Sequence, residues 1–463
     1  MNVTSTRRLA DQRPAPPDVA AELARARART LGLLDGLSEA DQRAQVSPLM
    51  SPFVWDLAHI GNYEELWLLR ELDGRAPTDP ALDDLYNAFE HPRWERPSLP
   101  ILGPDAARRY LEQVRADVLD LLDRVRGGMV AVGSAAERLL SDNFVYGMVL
   151  QHEHQHDETI LATHQLRGEH AVVPFAVEPR TVEPSTVGAR PVGDAGPAVA
   201  GAMQRVEGGP FIMGTDDDPW AYDNERSAHT VDLAPFLIDT TPVTNRAYLE
   251  FIDAGGYDDS RHWPDAGWTW RTEQHLAHPQ FWRPEGEGAW SVLRFGRRLD
   301  LARHLDEPVQ HVCWYESDAY ARWAGKRLPT EAEWEKAAAW NPDHGAGRWP
   351  WGEAEPSFAR ANLGQRRSGP DPVDARPAGA SPWGCLAMIG DVWEWTSSRF
   401  EPYPGFRAWP YREYSEVFWG NDYKVLRGGS WATDPVAVRA TFRNWDLPIR
   451  RQIFAGFRCA RDV

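Results

Sequence analysis

The sequence predicts a multi-domain protein with an all-α N-terminal domain and an α+β C-terminal domain. The chain has 463 residues, which is too long for one ordinary hydrophobic core. Apolar residues recur at helical spacing up to about residue 172, whereas short strand-like segments alternate with Gly, Pro and Asp after residue 203. We therefore predict domains over 1–172 and 204–463, joined by a connector over 173–203.

Four long helices are predicted in the first domain, over residues 18–36, 52–73, 105–126 and 142–165. Each carries apolar residues at core spacing. The proline-rich stretch 86–104 is predicted to be a loop, because proline removes a backbone donor and interrupts helices. Four long helices indicate a bundle, a fold that often builds metal sites from facing helices.

The second domain shows fewer helices. The pattern predicts them at 245–254, 315–324 and 330–339. Thr330 and Glu333 fit a capping box at the start of the last one. The connector has no helical periodicity, and we predict that it follows the surface.

Composition limits the classes of function. The net charge of −18 disfavours nucleic acid as a partner. No run of about 18 apolar residues predicts a membrane span, and residues 1–30 lack an apolar signal core. Three scattered cysteines, Cys313, Cys385 and Cys459, suit a reducing compartment. We therefore expect a cytoplasmic protein that acts on small molecules, with no nucleic acid and no membrane as partners.

A histidine cluster supplies the first chemical signal. Residues 151–158 read Gln-His-Glu-His-Gln-His-Asp-Glu. A helix would place His152 and His156 on one face, one turn apart, where they can hold a single metal ion. His59 is a third candidate from another predicted helix. Three neutral imidazoles leave coordination positions open for catalysis, but they accept zinc as readily as iron.

Two neighbours of the histidine pair have different predicted roles. His154 lies two residues from each ligand candidate and so on a different face of the helix. We interpret it as a residue outside the metal site. Gln155 is three residues from His152, and we predict that its amide reaches the substrate as a hydrogen-bond donor.

The second domain contains six short sequence motifs. These motifs are Gly-Pro-Phe-Ile-Met-Gly at 209–214, Pro-Val-Thr-Asn at 242–245, Arg-Leu-Pro-Thr-Glu-Ala-Glu-Trp-Glu at 327–335, Gly-Asp-Val-Trp-Glu-Trp at 390–395, Arg-Gly-Gly-Ser-Trp at 427–431 and Gly-Phe-Arg at 456–458. Together they resemble the formylglycine-generating-enzyme (sulfatase-modifying factor) domain, a C-type-lectin-like fold. The first domain resembles the DinB-type four-helix bundle through His59 and the pattern His152-x3-His156-x-Glu158.

The two domains in this order resemble the iron-dependent sulfoxide synthases of ergothioneine biosynthesis. Related ovothiol-type synthases usually carry an added methyltransferase domain, and none is encoded after Val463, so we expect the ergothioneine branch. The resemblance implies that ferrous iron (Fe2+) and O2 join γ-glutamylcysteine to hercynine (Nα-trimethylhistidine). A carbon–sulfur bond forms and the sulfur is oxidised to the sulfoxide.

Carried over residue by residue, the resemblance implies a set of site residues. The iron ligands are His59, His152 and His156. The catalytic phenol is Tyr411, with Tyr414 as its alternative and as a hercynine-pocket residue. The remaining substrate-binding residues implied by the resemblance are Arg93, Arg96, Asn444, Trp445, Asp446 and Arg450.

The sequence leaves alternatives open for the thiol substrate and for the class of reaction. Arg93 and Arg96 match an arginine pair that holds the carboxylates of γ-glutamylcysteine, and this favours that thiol over free cysteine. A zinc-dependent DinB-type thiol transferase is the first alternative enzyme, and a non-enzymatic binding module is the second. A formylglycine-generating oxidase is disfavoured, because that family uses a cysteine pair near the end of the domain and Cys459 has no matching partner in the sequence.

Overall fold

The computed structural model describes residues 18–129, 134–171 and 201–463. These residues divide into two units. The helical unit contains the described residues between 18 and 171 together with Asp217–Tyr222, and the mixed unit contains residues 201–216 and Asp223–Val463. The predicted connector lies outside the described residues as far as residue 200.

The helical unit is built on the four predicted long helices, and the predicted all-α bundle is confirmed. Helix α1 (Val19–Leu33) packs against α7 (Phe144–Leu166), and α3 (Phe53–Glu64) packs against α5 (Pro104–Arg126) and α7. The sequence reading missed three short helices, because segments of five to seven residues are too short to show a period. The helices of this unit are α1 (Val19–Leu33), α2 (Glu39–Arg43), α3 (Phe53–Glu64), α4 (Ala81–Leu85), α5 (Pro104–Arg126), α6 (Ser134–Leu140) and α7 (Phe144–Leu166).

Helix α3 is continued by a π-helical turn over Glu65–Arg70 instead of one uniform helix over 52–73. Two consecutive carboxylates are buried at this junction, Glu64 and Glu65. Glu65 accepts hydrogen bonds from the Tyr110 hydroxyl and from the Thr78 backbone N–H. Such turns are rare and frequently occur near functional sites, and here the turn follows the stretch of α3 that carries His59.

The mixed unit combines short helices with small sheets, as the α+β prediction states. The strand pairs are antiparallel except β10–β13, which is parallel. The sheets have the orders β1-β4-β14, β12-β11-β10-β13, β2-β3, β5-β6-β7 and β8-β9. The elements are β1 (Met203–Val206), β2 (Gly209–Met213), β3 (His229–Leu233), β4 (Phe236–Asp239), α8 (Asn245–Asp253), α9 (Asp265–Glu273), β5 (Trp282–Gly286), β6 (Ala289–Arg294), β7 (Arg297–Asp300), α10 (Trp314–Trp323), α11 (Glu331–Ala339), β8 (Trp340–Asn341), β9 (Gly345–Ala346), β10 (Trp393–Arg399), β11 (Lys424–Arg427), β12 (Asn444–Asp446), β13 (Ala455–Gly456) and β14 (Ala460–Asp462).

The three helices predicted in this domain are present as α8, α10 and α11. The capping box is confirmed, since the Thr330 hydroxyl accepts from the Glu333 N–H at 3.1 Å and Glu333 accepts from the Thr330 N–H at 2.7 Å. Helix α9 was missed. Its only buried residue is Gly267, so it has no apolar stripe from which a helix could be predicted.

Buried arginines form part of the core of the mixed unit. Arg427 and Arg443 both donate to Glu331 at 2.7 Å, and Arg458 donates to Glu394 at 2.7 Å. A buried charge is tolerated only when it is paired and hydrogen-bonded. Charged residues of the six sequence motifs therefore lie in the interior of this unit.

Two further observations concern the environment of the chain. Among the described residues, none of the helices combines the length and the apolar character needed to cross a lipid bilayer.

Cys313, Cys385 and Cys459 are buried free thiols, and burial raises the pKa of each thiol.

Asp391 provides a test of the packing in the mixed unit. Its carboxylate is buried and accepts from the Asn362 amide at 2.9 Å and from the Asp371 N–H at 2.8 Å. Burial raises its pKa from 3.8 to about 7. The folded state thus binds this proton more tightly than the unfolded state, so its contribution to stability falls as the pH rises from about 4 to about 7.

We predict that Asp391→Asn raises the thermal unfolding temperature more at pH 8 than at pH 5, because the amide has no proton to lose. The upper limit of the difference between the two pH values is about 3 kcal/mol, because about two of the three pKa units lie above pH 5. Asn also tolerates the positive φ of 60° at this position. Asp343→Asn, at an exposed site, supplies the baseline for the same replacement. An equal change at both pH values would contradict the prediction.

Candidate functional site

The structure brings the three predicted metal ligands together. Helix α7 carries His152 and His156, and the neighbouring α3 carries His59. One ring nitrogen from each histidine can be chosen so that all lie within 4.8 Å of one another. The Nε2 atoms of His59 and His152 are 3.2 Å apart. The four-residue spacing on α7 and the packing of α3 against it produce this arrangement.

Aromatic side chains of α3 hold the imidazoles in place. Trp55, His59 and Tyr63 follow one another at intervals of four residues and so lie on one side of the helix. The Trp55 ring stacks on His59 with centroids 4.8 Å apart. The Tyr63 ring stacks on His152 with centroids 3.7 Å apart and an interplanar angle of 11°. These stacks restrict ring rotation at two of the three ligand candidates.

The hydrogen-bonding pattern fits a bound cation. The Nδ1–H of His59 donates to the Tyr86 carbonyl at 2.8 Å, so Nε2 carries a lone pair directed at His152. Burial lowers the pKa of both His59 and His152 well below the usual value, which keeps both rings neutral. Neutral imidazoles are the ligand form that metals require. This donor set fits a divalent ion, and iron and zinc both satisfy it.

His154 lies outside the cluster, as the sequence predicted. Its Nδ1 is 3.0 Å from the carboxylate of Asp157 on the same helix, and both side chains are buried. Gln155 is half-buried, and its backbone carbonyl accepts from the Thr159 hydroxyl at 3.2 Å. The contact of the Gln155 amide with substrate stays a prediction.

The two arginines differ in their surroundings. Arg96 is only 5% exposed, and its guanidinium lies 3.5 Å from the centroid of the Trp55 ring. It donates to the Ser51 hydroxyl at 2.6 Å and to two backbone carbonyls. Arg96 therefore supports the indole that stacks on His59. Arg93 is half-buried, and the substrate contacts of both arginines stay predictions.

In the mixed unit, the structure brings several predicted substrate residues together. The rings of Tyr411 and Tyr414 have centroids 6.2 Å apart, and Tyr414 meets Trp445 edge-to-face at 5.6 Å. Trp445 lies in β12 beside Asn444 and Asp446. The Arg450 Nε donates to the Asp446 carboxylate at 3.0 Å. An aromatic cluster and an ion pair thus lie in or near one short strand.

Asp223 is a site-supporting residue that the sequence reading missed. Its buried carboxylate accepts from the Ser415 hydroxyl at 2.6 Å and from the Trp409 N–H at 3.2 Å. These two contacts lie on either side of Tyr411 and Tyr414 in the chain, so Asp223 fixes both ends of their loop. Burial raises the pKa of Asp223 to about 6. No local motif marks this residue, because its partners lie 186 and 192 positions away.

A second missed feature lies in the helical unit. The Trp220 indole occupies the space where a Cβ at Gly147 would lie. The Gln151 side-chain amide donates to the Trp220 carbonyl at 3.1 Å. The segment Asp217–Tyr222 therefore covers α7 directly before His152, although it follows the predicted connector in sequence.

Comparison with known proteins supports both domain assignments. Residues 22–160 match the DinB superfamily, and residues 192–463 match the sulfatase-modifying factor enzyme 1-like domain. A hercynine oxygenase of Mycolicibacterium thermoresistibile is 50% identical over 97% of this chain and 96% of its own length. A hercynine oxygenase of Mycolicibacterium smegmatis is 48% identical over 96% of this chain and 99% of its own. A formylglycine-generating enzyme of Thermomonospora curvata is 33% identical over 57% of this chain and 94% of its own.

We predict that metal binding depends on His152 but not on His154. His152→Gln removes one nitrogen donor from the cluster and is expected to lower metal affinity at least about tenfold. His154→Gln is the matched control, since it changes a buried histidine of the same helix outside the cluster. Metal content after equilibration with a competing chelator measures the effect, and circular dichroism verifies folding. Equal losses in the two variants would contradict the assignment.

Proposed function

Because this chain belongs to the family of the hercynine oxygenases, we propose that it is a non-haem iron(II) enzyme of ergothioneine biosynthesis. It joins the sulfur of γ-glutamylcysteine to the imidazole of hercynine with O2 and forms the sulfoxide. The observation that carries this proposal is the three-histidine cluster in a chain 50% identical to a hercynine oxygenase along nearly its whole length.

The proposed reaction requires a redox-active ion. The thiol S–H bond and one imidazole C–H bond break, and a C–S bond forms. One oxygen atom of O2 enters the sulfoxide and the other leaves as water, so the atoms and the four electrons balance. Bound iron(II) supplies one-electron chemistry towards O2, which zinc lacks. This requirement favours iron where the ligands themselves accept either metal.

The helical unit has the task of holding the ion while leaving positions open. His59, His152 and His156 would hold the ion through three nitrogens from two helices, and three protein ligands would leave it accessible to the substrates. The stacked rings of Trp55 and Tyr63 keep two of these histidines in a fixed orientation. Rigid ligands on helices maintain the geometry that a multi-step oxidation needs.

The mixed unit is proposed to supply the proton donor and the ammonium pocket. A phenol hydroxyl can serve as a general acid, so the Oη of Tyr411 is proposed to donate the proton. Tyr414 and Trp445 are the aromatic groups proposed to attract the trimethylammonium group of hercynine through cation–π contact. Their edge-to-face contact supports a common pocket. Tyr414 is the alternative proton donor.

Opposite charges in the mixed unit suit a zwitterionic thiol. Asp446 and Arg450 form an ion pair at 3.0 Å. The α-ammonium and α-carboxylate of a glutamyl group can exchange with this pair, one charge on each side chain. Asn444, in the same strand, offers an amide for a further hydrogen bond. Arg93 and Arg96 keep their predicted assignment to a substrate carboxylate, and for Arg96 this would require exchange of a bond to Ser51, His91 or Ala88. A carboxylate-binding group in addition to Arg450 favours γ-glutamylcysteine, which has two carboxylates, over free cysteine, which has one.

We predict that the anaerobically iron-loaded protein consumes O2 only when hercynine and γ-glutamylcysteine are both present. The mass of the product should equal that of the coupled sulfoxide. The zinc-loaded protein is the control and should consume none, because zinc has no accessible redox change. Uptake with cysteine alone as the thiol would keep the chemistry and replace the proposed thiol. An iron-loaded protein without uptake would favour the thiol transferase.

We predict that Tyr411→Phe retains metal and substrate binding but slows sulfoxide formation by about 10²- to 10⁴-fold, the usual effect of losing a general acid. Tyr414→Phe is the matched control and should mainly raise the hercynine KM. Single-turnover product analysis by mass spectrometry measures both. If Tyr414→Phe abolished the sulfoxide while Tyr411→Phe did not, the two roles would be exchanged.

A further inference from the structure

Asp56 is a buried carboxylate next to the metal ligands that the proposed reaction does not use. It lies on α3, three residues before His59, and is 1% exposed. Its Oδ1 is 3.3 Å from the Nδ1 of His156 on α7. Among the described residues, neither the Oδ2 of Asp56 nor the Nδ1 of His156 has a hydrogen-bond partner. The 3.3 Å approach of Asp56 is therefore the polar contact that the structure gives the outer nitrogen of His156.

The burial of this carboxylate requires compensation. An isolated carboxylate in an apolar interior is strongly disfavoured unless a donor or a cation lies beside it. Burial lowers the pKa of Arg96 to about 10, and the nearby charge of Asp56 opposes this shift. However, the Arg96 nitrogens donate to Ser51, His91 and Ala88. This leaves the imidazole of His156 as the group that Asp56 can hold by a hydrogen bond.

We propose that Asp56 is a positioning residue that accepts the Nδ1–H of His156 and thereby directs the bare Nε2 of His156 to the point shared by His59 and His152. This inference rests on the proposed metal centre. A carboxylate behind a ligating imidazole fixes its tautomer and orientation and strengthens its donor nitrogen.

His59 has a similar arrangement, in which a neutral backbone carbonyl takes the place of the carboxylate. There the Nδ1–H donates to the Tyr86 carbonyl at 2.8 Å, and the Nε2 faces the cluster. Two ligand histidines thus have their outer nitrogen held by the protein, one by a carbonyl and one by a carboxylate. Because the carboxylate is charged, His156 becomes the stronger donor of the two.

The helical unit offers a matched control for this contact. Asp157 is also buried, and its carboxylate also meets a histidine Nδ1, that of His154, at 3.0 Å. His154 lies outside the cluster. Asp157→Asn therefore removes the same kind of contact from a histidine that binds no metal.

The test uses cobalt(II) alone as the probe on the metal-free full-length protein. We expect Asp56→Asn to lower cobalt affinity about 10- to 100-fold and to shift the visible absorption of the bound ion. Asp157→Asn should leave both properties unchanged, even if it lowers the unfolding temperature. Wild-type affinity and spectrum in Asp56→Asn would overturn the proposal, and so would equal losses in both variants.

Two further outcomes are decisive. A change of cobalt coordination number in Asp56→Asn, seen by X-ray absorption, would make Asp56 a direct ligand and overturn the positioning role. A wild-type protein that binds no cobalt would refute the metal centre itself, and the proposed function with it. The cobalt titration contains no substrate. Its outcome is therefore independent of whether the iron-loaded protein consumes O2 with hercynine and γ-glutamylcysteine.

A second measurement does not depend on the folding of a variant. Histidine-selective ¹⁵N labelling of the metal-free wild-type protein reports which nitrogen of His156 carries the proton, with His156→Gln used to assign the signal. We expect the proton on Nδ1. A proton on Nε2 would overturn the proposal.

Discussion

A buried ion-pair network supports the three-histidine cluster. Each long helix of the bundle contributes one residue to it: Arg27 from α1, Glu64 from α3, Arg115 from α5 and Glu153 from α7. Arg27 contacts Glu64 at 2.6 Å and Glu153 at 2.8 Å, and Arg115 contacts the same two carboxylates. Burial would raise the pKa of Glu153, but the two arginines lower it to about 2. Because removing one partner of a buried pair costs about 3–5 kcal/mol, the network fixes the rotation of α7 and with it the neighbouring His152.

The three histidines and their neighbours have different roles in the site. The histidines can bind several metals, and the neighbouring side chains set the orientation of the imidazole rings. Three imidazoles bind iron or zinc, so the donor set does not by itself determine a reaction. The aromatic rings of α3 orient two of those imidazoles, and the carboxylate of Asp56 is proposed to orient the third. Family membership supplies the remaining information about substrate and oxidant, and only in combination do these observations support an oxygenase.

The mixed unit shows how irregular structure can still place side chains accurately. Tyr411 and Tyr414 lie in a loop with only one short 3₁₀ turn, Arg412–Tyr414. Asp223 holds both ends of that loop through Trp409 and Ser415. Buried arginine–glutamate pairs perform a similar task in the surrounding core. Loops anchored by buried hydrogen bonds lose much of their conformational freedom, and this suits a binding site.

The sequence alone determined the features that depend on neighbouring positions. The spacing of His152 and His156 places them on one face of any helix, and the capping box of Thr330 and Glu333 acts within four residues. The six sequence motifs of the second domain predicted the fold of the mixed unit through their resemblance to a known family. The family resemblance named His59 as a ligand, but only the tertiary structure brings it to the pair and brings Asp56 to His156. These contacts join residues distant in the chain, and local periodicity carries no information about which distant side chains meet in the folded interior.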